Sequence, residues 1–168
     1  MLAILLILVG ILLRFVPHTP NFTPVAAIAL FSGAYLNKKY SVIIPLLLMV
    51  ISDFFIGFHN LFLFVWGAFI VITFFGYFLR KQKSISRVLV TSFLSSVIFY
   101  LITNFGVWAM GWYPNTLSGL ANSYILGLPF FRDFTLATII YSCAFFGAYE
   151  LIAHRVKNTK LATVLLSK

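Results

Sequence analysis

Negative charge is what this sequence has least of. Its 168 residues carry three acidic side chains, Asp53, Asp133 and Glu150, against twelve lysines and arginines. Hydrolases and ATPases gather carboxylates around a metal or an attacking water, so this scarcity argues against both. One cysteine, Cys143, lies inside an apolar run. That excludes a disulfide within the chain and disfavours a thiolate metal site. Charged residues of both signs make up only 9% of the chain, too little polar surface to cover a soluble domain. Also missing are HExxH, GxSxG and a phosphate-binding glycine loop, and no serine, histidine and acid are brought together by the topology. The sequence therefore reads as a non-enzyme, and no pattern in it asks for a cofactor.

What is abundant is apolar. Apolar residues make up 62% and aromatic residues 18% of the chain, with a mean hydropathy of +1.05, which is the composition of an integral membrane protein. The apolar runs fall at roughly 2–16, 22–36, 41–58, 61–79, 86–110 and 130–153. About 20 residues span a bilayer, so the expectation is an all-α polytopic bundle of six transmembrane helices forming a single domain over 1–168. The first two runs reach only roughly 22 Å each, which calls for local thinning or snorkelling by Arg14. Run 2–16 has no basic segment before it and no clear small-residue cleavage site, so it reads as a helix and not as a signal peptide.

The basic residues set the orientation. Lys38 and Lys39 follow the second run, Arg80, Lys81, Lys83 and Arg87 separate the fourth from the fifth, and Arg155, Lys157, Lys160 and Lys168 follow the sixth. The alternate loops, 17–22, 57–60 and 111–129, contain no lysine or arginine. By the positive-inside rule both termini are cytoplasmic and the protein is multi-pass in the inner (plasma) membrane. Because the basic residues sit in short loops beside apolar runs and form no stacking surface, the net charge of +9 does not indicate nucleic acid.

Four charges remain in the outer half: Arg14, Asp53, Arg132 and Asp133. Asp53 falls before the end of the third helix, where a buried carboxylate needs a partner; Arg14 or Arg132 fits that role. Either the pair locks helices together or it binds a ligand. Asp133 is expected in the first turn of the sixth helix, where it complements the helix dipole, and Glu150 at the other end reads as an interfacial charge. Along the fifth helix, Ser92, Ser96, Tyr100, Asn104 and Trp108 recur every four residues and share a polar face. Asn104 and Trp108, nearer the outside, are its site candidates. The long stretch 111–129 holds Trp112, Tyr113, Asn115, Asn122 and Tyr124, and reads as a lid or as an interfacial aromatic belt. His18, His59 and Asp53 could converge as metal ligands, although no spacing requires it.

Arg14 leads into the most distinctive stretch, RFVPHTPNFTPVAAIALFSG. Pro17, Pro20 and Pro24 stiffen a loop over 17–24, and a helix begins near Pro24 with Thr23 or Asn21 about the N-cap. Ala29 and Gly33, four apart and flanked by Ala26 and Ala34, allow close helix approach.

The run RFVPHTPNFTPVAAIALFSGAYL, with SDFFIGFH, NFGVWAMGWYPNT and LPFFRDFTLATIIYSCAFFGAYEL, resembles a family of small uncharacterised bacterial membrane proteins. That family is distantly similar to the S components of energy-coupling-factor (ECF) transporters, which capture vitamins and other micronutrients. The resemblance implies an S-component-like six-helix subunit with an outward-facing ligand pocket closed by the loop after helix 1. It also implies a transmembrane coupling subunit carrying cytoplasmic ATPases. In S components an AxxxA pattern on the first helix meets that subunit, whereas here helix 1 offers only Ala3 and Gly10, seven apart.

The expectation is thus a substrate-binding membrane subunit for a small micronutrient-like molecule. Arg14, Asn21, Asp53, Asn104 and Arg132 supply the polar contacts, and Trp108, Trp112 and Tyr113 the stacking. Its expected partners are membrane lipid, the small-molecule ligand and the coupling subunit. The rival is a structural or scaffolding multi-span protein that uses Arg14–Asp53 as a helix lock and its basic loops to meet anionic lipid or a partner.

Overall fold

The computed structural model describes residues 1–16, 19–58 and 60–166. Among them the chain forms seven α-helices and no strand: α1 (Leu2–Arg14), α2 (Val25–Tyr35), α3 (Lys38–Ile56), α4 (Phe62–Phe78), α5 (Ile85–Ala109), α6 (Leu117–Val156) and a short α7 (Leu161–Leu165). Each apolar run of the sequence becomes one of the first six. Of the described helices, α5 and α6 are long and apolar enough to cross a membrane, while α1, α2 and α4 are apolar but shorter.

The hub is α2. Every residue from Val25 to Ala34 is buried, and the helix packs against α1, α3, α4, α5 and α6. A helix so enclosed has to be apolar all round, and Ala26, Ala27, Ala29, Gly33 and Ala34 keep it thin enough to fit. Gly33 meets Gly76 of α4 backbone to backbone. A Cβ on Gly33 would stand 2.2 Å from the Thr73 carbonyl oxygen and 2.9 Å from the Gly76 Cα, and a Cβ on Gly76 would stand 2.3 Å from the Leu30 carbonyl oxygen. The small-residue face of α2 is therefore spent inside the bundle. Gly10 of α1 is used in the same way, against Ile28 and Phe145.

Both ends of α2 depart from simple capping. Pro24 takes the N-cap position with φ −75°, and no side chain caps the helix; the Thr23 hydroxyl instead faces Arg14. At the other end Arg80 reaches across from the α4–α5 turn. Its Nε donates to the Gly33 carbonyl and its Nη2 to the Leu36 carbonyl, both at 2.8 Å. A cation there satisfies orphan carbonyls and complements the negative helix end. Lys83 Nζ sits 4.9 Å from the centre of the Tyr35 ring, and the Tyr35 hydroxyl donates to Glu150 Oε1 at 2.6 Å. These contacts gather the end of α2, the α4–α5 turn and the end of α6 at one basic end of the bundle.

The sixth helix differs most from the sequence reading. Residues 111–129 were expected as a loop and 130–153 as the helix, yet α6 begins at Leu117 and runs for 40 residues. Thr116 accepts from the Gly119 N–H at 3.1 Å and caps it. Pro129, expected as the last residue of that loop, lies inside the helix and removes one ladder hydrogen bond. The segment before it is held by α5: the Tyr100 hydroxyl donates to the Tyr124 carbonyl, and the Tyr124 hydroxyl donates to the Leu101 carbonyl at 2.9 Å. A lid over 111–129 is accordingly reduced to a tight turn over 110–116. Asp133 is likewise deep within α6, not in its first turn.

Candidate functional site

Two polar regions lie at the end of the bundle opposite the basic one, on different sides of α4. Leu61 and Val65 face one region, while Trp66 faces the other, a single residue and about 100° further round the helix.

The first region is an ion pair. Arg14, last residue of α1, sends Nη2 to Asp53 Oδ1 at 3.0 Å, Nε to Ser52 Oγ at 2.7 Å and Nη1 to Thr23 Oγ1 at 3.4 Å. The second oxygen of Asp53 accepts from Trp66 Nε1 at 2.9 Å. The side chains of Arg14 and Asp53 are 13% and 3% exposed. A buried charge is stable only when paired and hydrogen-bonded, and here α1, α3, α4 and the 19–24 turn each contribute a partner. The cluster ties four segments together.

The second region is a cavity of about 330 Å³ between α4, α5 and α6, near the lower end of the ~300–1,000 Å³ usual for small-molecule sites. Phe99, Tyr100, Thr103, Asn104 and Val107 of α5 form one wall, and Gly127, Phe130, Phe131 and Phe134 of α6 another. Asn21 enters from the turn before α2, and Trp112 from the α5–α6 connection. The floor is set by Phe99 and Phe134, whose rings stack 4.0 Å apart and nearly parallel, with Phe69 beneath at 5.3 Å from Phe99. Asn21 has φ 63°, a left-handed conformation that asparagine tolerates better than most residues. Asn104 donates from Nδ2 to the Tyr100 carbonyl at 2.9 Å. Its Oδ1 lies over Gly127, where a Cβ would come within 2.3 Å. The missing side chain at 127 is what gives the amide its place.

The eight residues expected at a site are thus divided. Arg14 and Asp53 form the ion pair, whereas Asn21, Asn104 and Trp112 line the cavity. Trp108, Tyr113 and Arg132 line neither. Trp108 Nε1 donates to the Pro114 carbonyl at 3.1 Å and so holds the turn that carries Trp112. Arg132 lies beside Asp133, with Nε 3.4 Å from Oδ1, and is 79% exposed. His18 and His59 fall outside the described residues, so the metal grouping with Asp53 does too. Among the described residues no three histidine, cysteine or acidic side chains cluster. Sequence reasoning passed over Phe130, Phe131 and Phe134, whose spacing puts them on one helix face beside Gly127.

The sequence profile of one family covers residues 1–161, nearly the whole chain. The chain belongs to DUF6580, a family of unknown function. No curated protein and no solved structure matches it. In this DUF6580 member, the cavity and the ion pair are the two candidate sites.

Proposed function

We propose that the protein is a membrane-embedded bundle of six spanning helices that binds a small molecule in the α4–α5–α6 cavity, as the substrate-binding subunit of an uptake system. The observation that carries this reading is the cavity itself: aromatic walls, two side-chain amides, and a position at the end opposite the basic residues. With the basic end in the cytoplasm, the cavity opens toward the outside, where a captured nutrient would arrive. The six apolar helices and the excess of basic residues at one end support the bilayer setting. The resemblance to ECF S components supports capture as the role and a transmembrane coupling subunit with cytoplasmic ATPases as the partner. Such a partner would dock on an exposed apolar face, such as Leu5, Leu8 and Leu12 of α1, since the small residues of α2 are enclosed. In this reading Arg14–Asp53 is a helix lock next to the site.

Native mass spectrometry of protein gently extracted from its own membrane tests it. A stoichiometric small-molecule adduct is expected on the wild type, and it should be lost in Gly127→Ala, where the added Cβ displaces the Asn104 amide. Protein free of any adduct but holding another membrane protein would overturn capture and favour the scaffold.

A further inference from the structure

The chemistry of the cavity wall narrows what it can hold, an inference that rests on the cavity being the binding site. Among the described residues, no lysine, arginine, histidine, aspartate or glutamate lines it. The nearby buried charges are no help to a ligand: Asp53 already accepts from Arg14 and Trp66, and Arg14 donates from all three of its nitrogens. An ionised ligand in the cavity would lose its hydration without meeting a counter-charge, which is strongly unfavourable. A neutral ligand avoids that cost.

Most polar groups in the wall are also committed. The Tyr100 hydroxyl donates to the Tyr124 carbonyl, and Thr103 Oγ1 donates to the Phe99 carbonyl at 2.8 Å. Asn104 uses one Nδ2 hydrogen on the Tyr100 carbonyl. That bond fixes the amide's orientation, because only the nitrogen side can face a carbonyl oxygen. Among the described residues, nothing donates to Asn104 Oδ1 and no hydrogen bond reaches the Asn21 side chain. The uncommitted groups are therefore the Trp112 indole N–H, a neutral donor, and the two amides, which offer both donors and acceptors and no charge. Between them stand Phe99, Phe130, Phe131 and Trp112, surfaces suited to a flat ring.

We infer that the cavity selects an uncharged planar aromatic or heteroaromatic molecule bearing an amide-like edge, read by Asn21 and Asn104. Four near-isosteric probes test this: 2-naphthamide, 2-naphthoate, 2-naphthamidinium and 2-ethylnaphthalene. Each is titrated against the full chain in lipid nanodiscs, following the saturable quenching of tryptophan fluorescence that Trp112→Phe removes. The amide is expected to bind at least about tenfold more tightly than either ion. Asn104→Ala and Asn21→Gly should each weaken the amide about fivefold to tenfold and leave 2-ethylnaphthalene unchanged. Glycine keeps the left-handed backbone at 21 accessible, so that variant folds even if the substitution at 104 does not. An ion that binds as tightly as the amide, or an amide indifferent to both substitutions, overturns the inference while the cavity remains a binding site. No saturable signal from any of the four probes overturns the cavity as a site and the inference with it.

Discussion

The Arg14–Asp53 cluster and the cavity lie on different faces of α4, and they differ in whether their polar groups are already satisfied. In the cluster every nitrogen of the guanidinium has an acceptor within 3.4 Å and both carboxylate oxygens have donors. In the cavity two amides face open volume. Charge drew attention to the first region in the sequence, yet a saturated charge has nothing left to offer a ligand. The second region is built from asparagine, phenylalanine and one glycine, and its chemistry is visible only once three helices are assembled.

The comparison is broken most directly by removing one charge. Asp53→Leu leaves Arg14 buried without a counter-ion, and stability should fall by about 3–5 kcal/mol. Adding Arg14→Met removes the stranded cation, and the double variant should recover most of that loss, since a buried pair replaced by apolar groups is often near neutral. Thermal unfolding in detergent followed by size exclusion measures both. If Asp53→Leu unfolds no earlier than the wild type yet loses its ligand, the cluster is a site and the contrast with the cavity collapses.

A second test asks whether the two regions are independent of the inner end of the α4 they share. Gly33→Ala puts a methyl group against the Thr73 carbonyl and Gly76, with no flexible side chain to yield. Overpacking of this kind should cost about 1–3 kcal/mol. The contact lies toward the basic end of α4 and the cavity at the other, so 2-naphthamide affinity should stay within a factor of about two. A large loss of affinity would mean that α2 sets the cavity's shape through α4.

Much of the fold was legible before any coordinates. Six apolar runs become six helices, and most of the basic residues share one end, because hydropathy and loop charge are local properties of the chain. The small residues of 26–34 announced close packing, although not that α2 would be enclosed by five neighbours; burial on all sides leaves no amphipathic stripe to read. The start of α6 was missed because Pro129 and the turn-like WYPN of 112–115 both resemble helix boundaries. Only Thr116 capping Gly119 and the tyrosine bonds to α5 decide where the helix begins. For the site, Asn104 was found through its four-residue spacing with Tyr100 and Trp108. The phenylalanines of α6 were not, since in a chain with 20 phenylalanines one more carries no signal.

The smallest expected effect separates two arginines that sequence placed in the same outer half. Arg132 meets only the neighbouring Asp133, at 3.4 Å and with 79% of its side chain exposed, whereas Arg14 is 13% exposed and bonded to three residues. An adjacent, exposed pair gains little Coulomb energy and loses side-chain freedom in forming. Arg132→Gln should therefore change stability by no more than about 0.5 kcal/mol. Its effect on 2-naphthoate is the sharper measurement. If Arg132 supplied the counter-charge for an anionic ligand at the cavity mouth, the wild type would bind the naphthoate well and Arg132→Gln would weaken it. With the cavity selective for neutral molecules, the naphthoate binds poorly before the substitution and equally poorly after it.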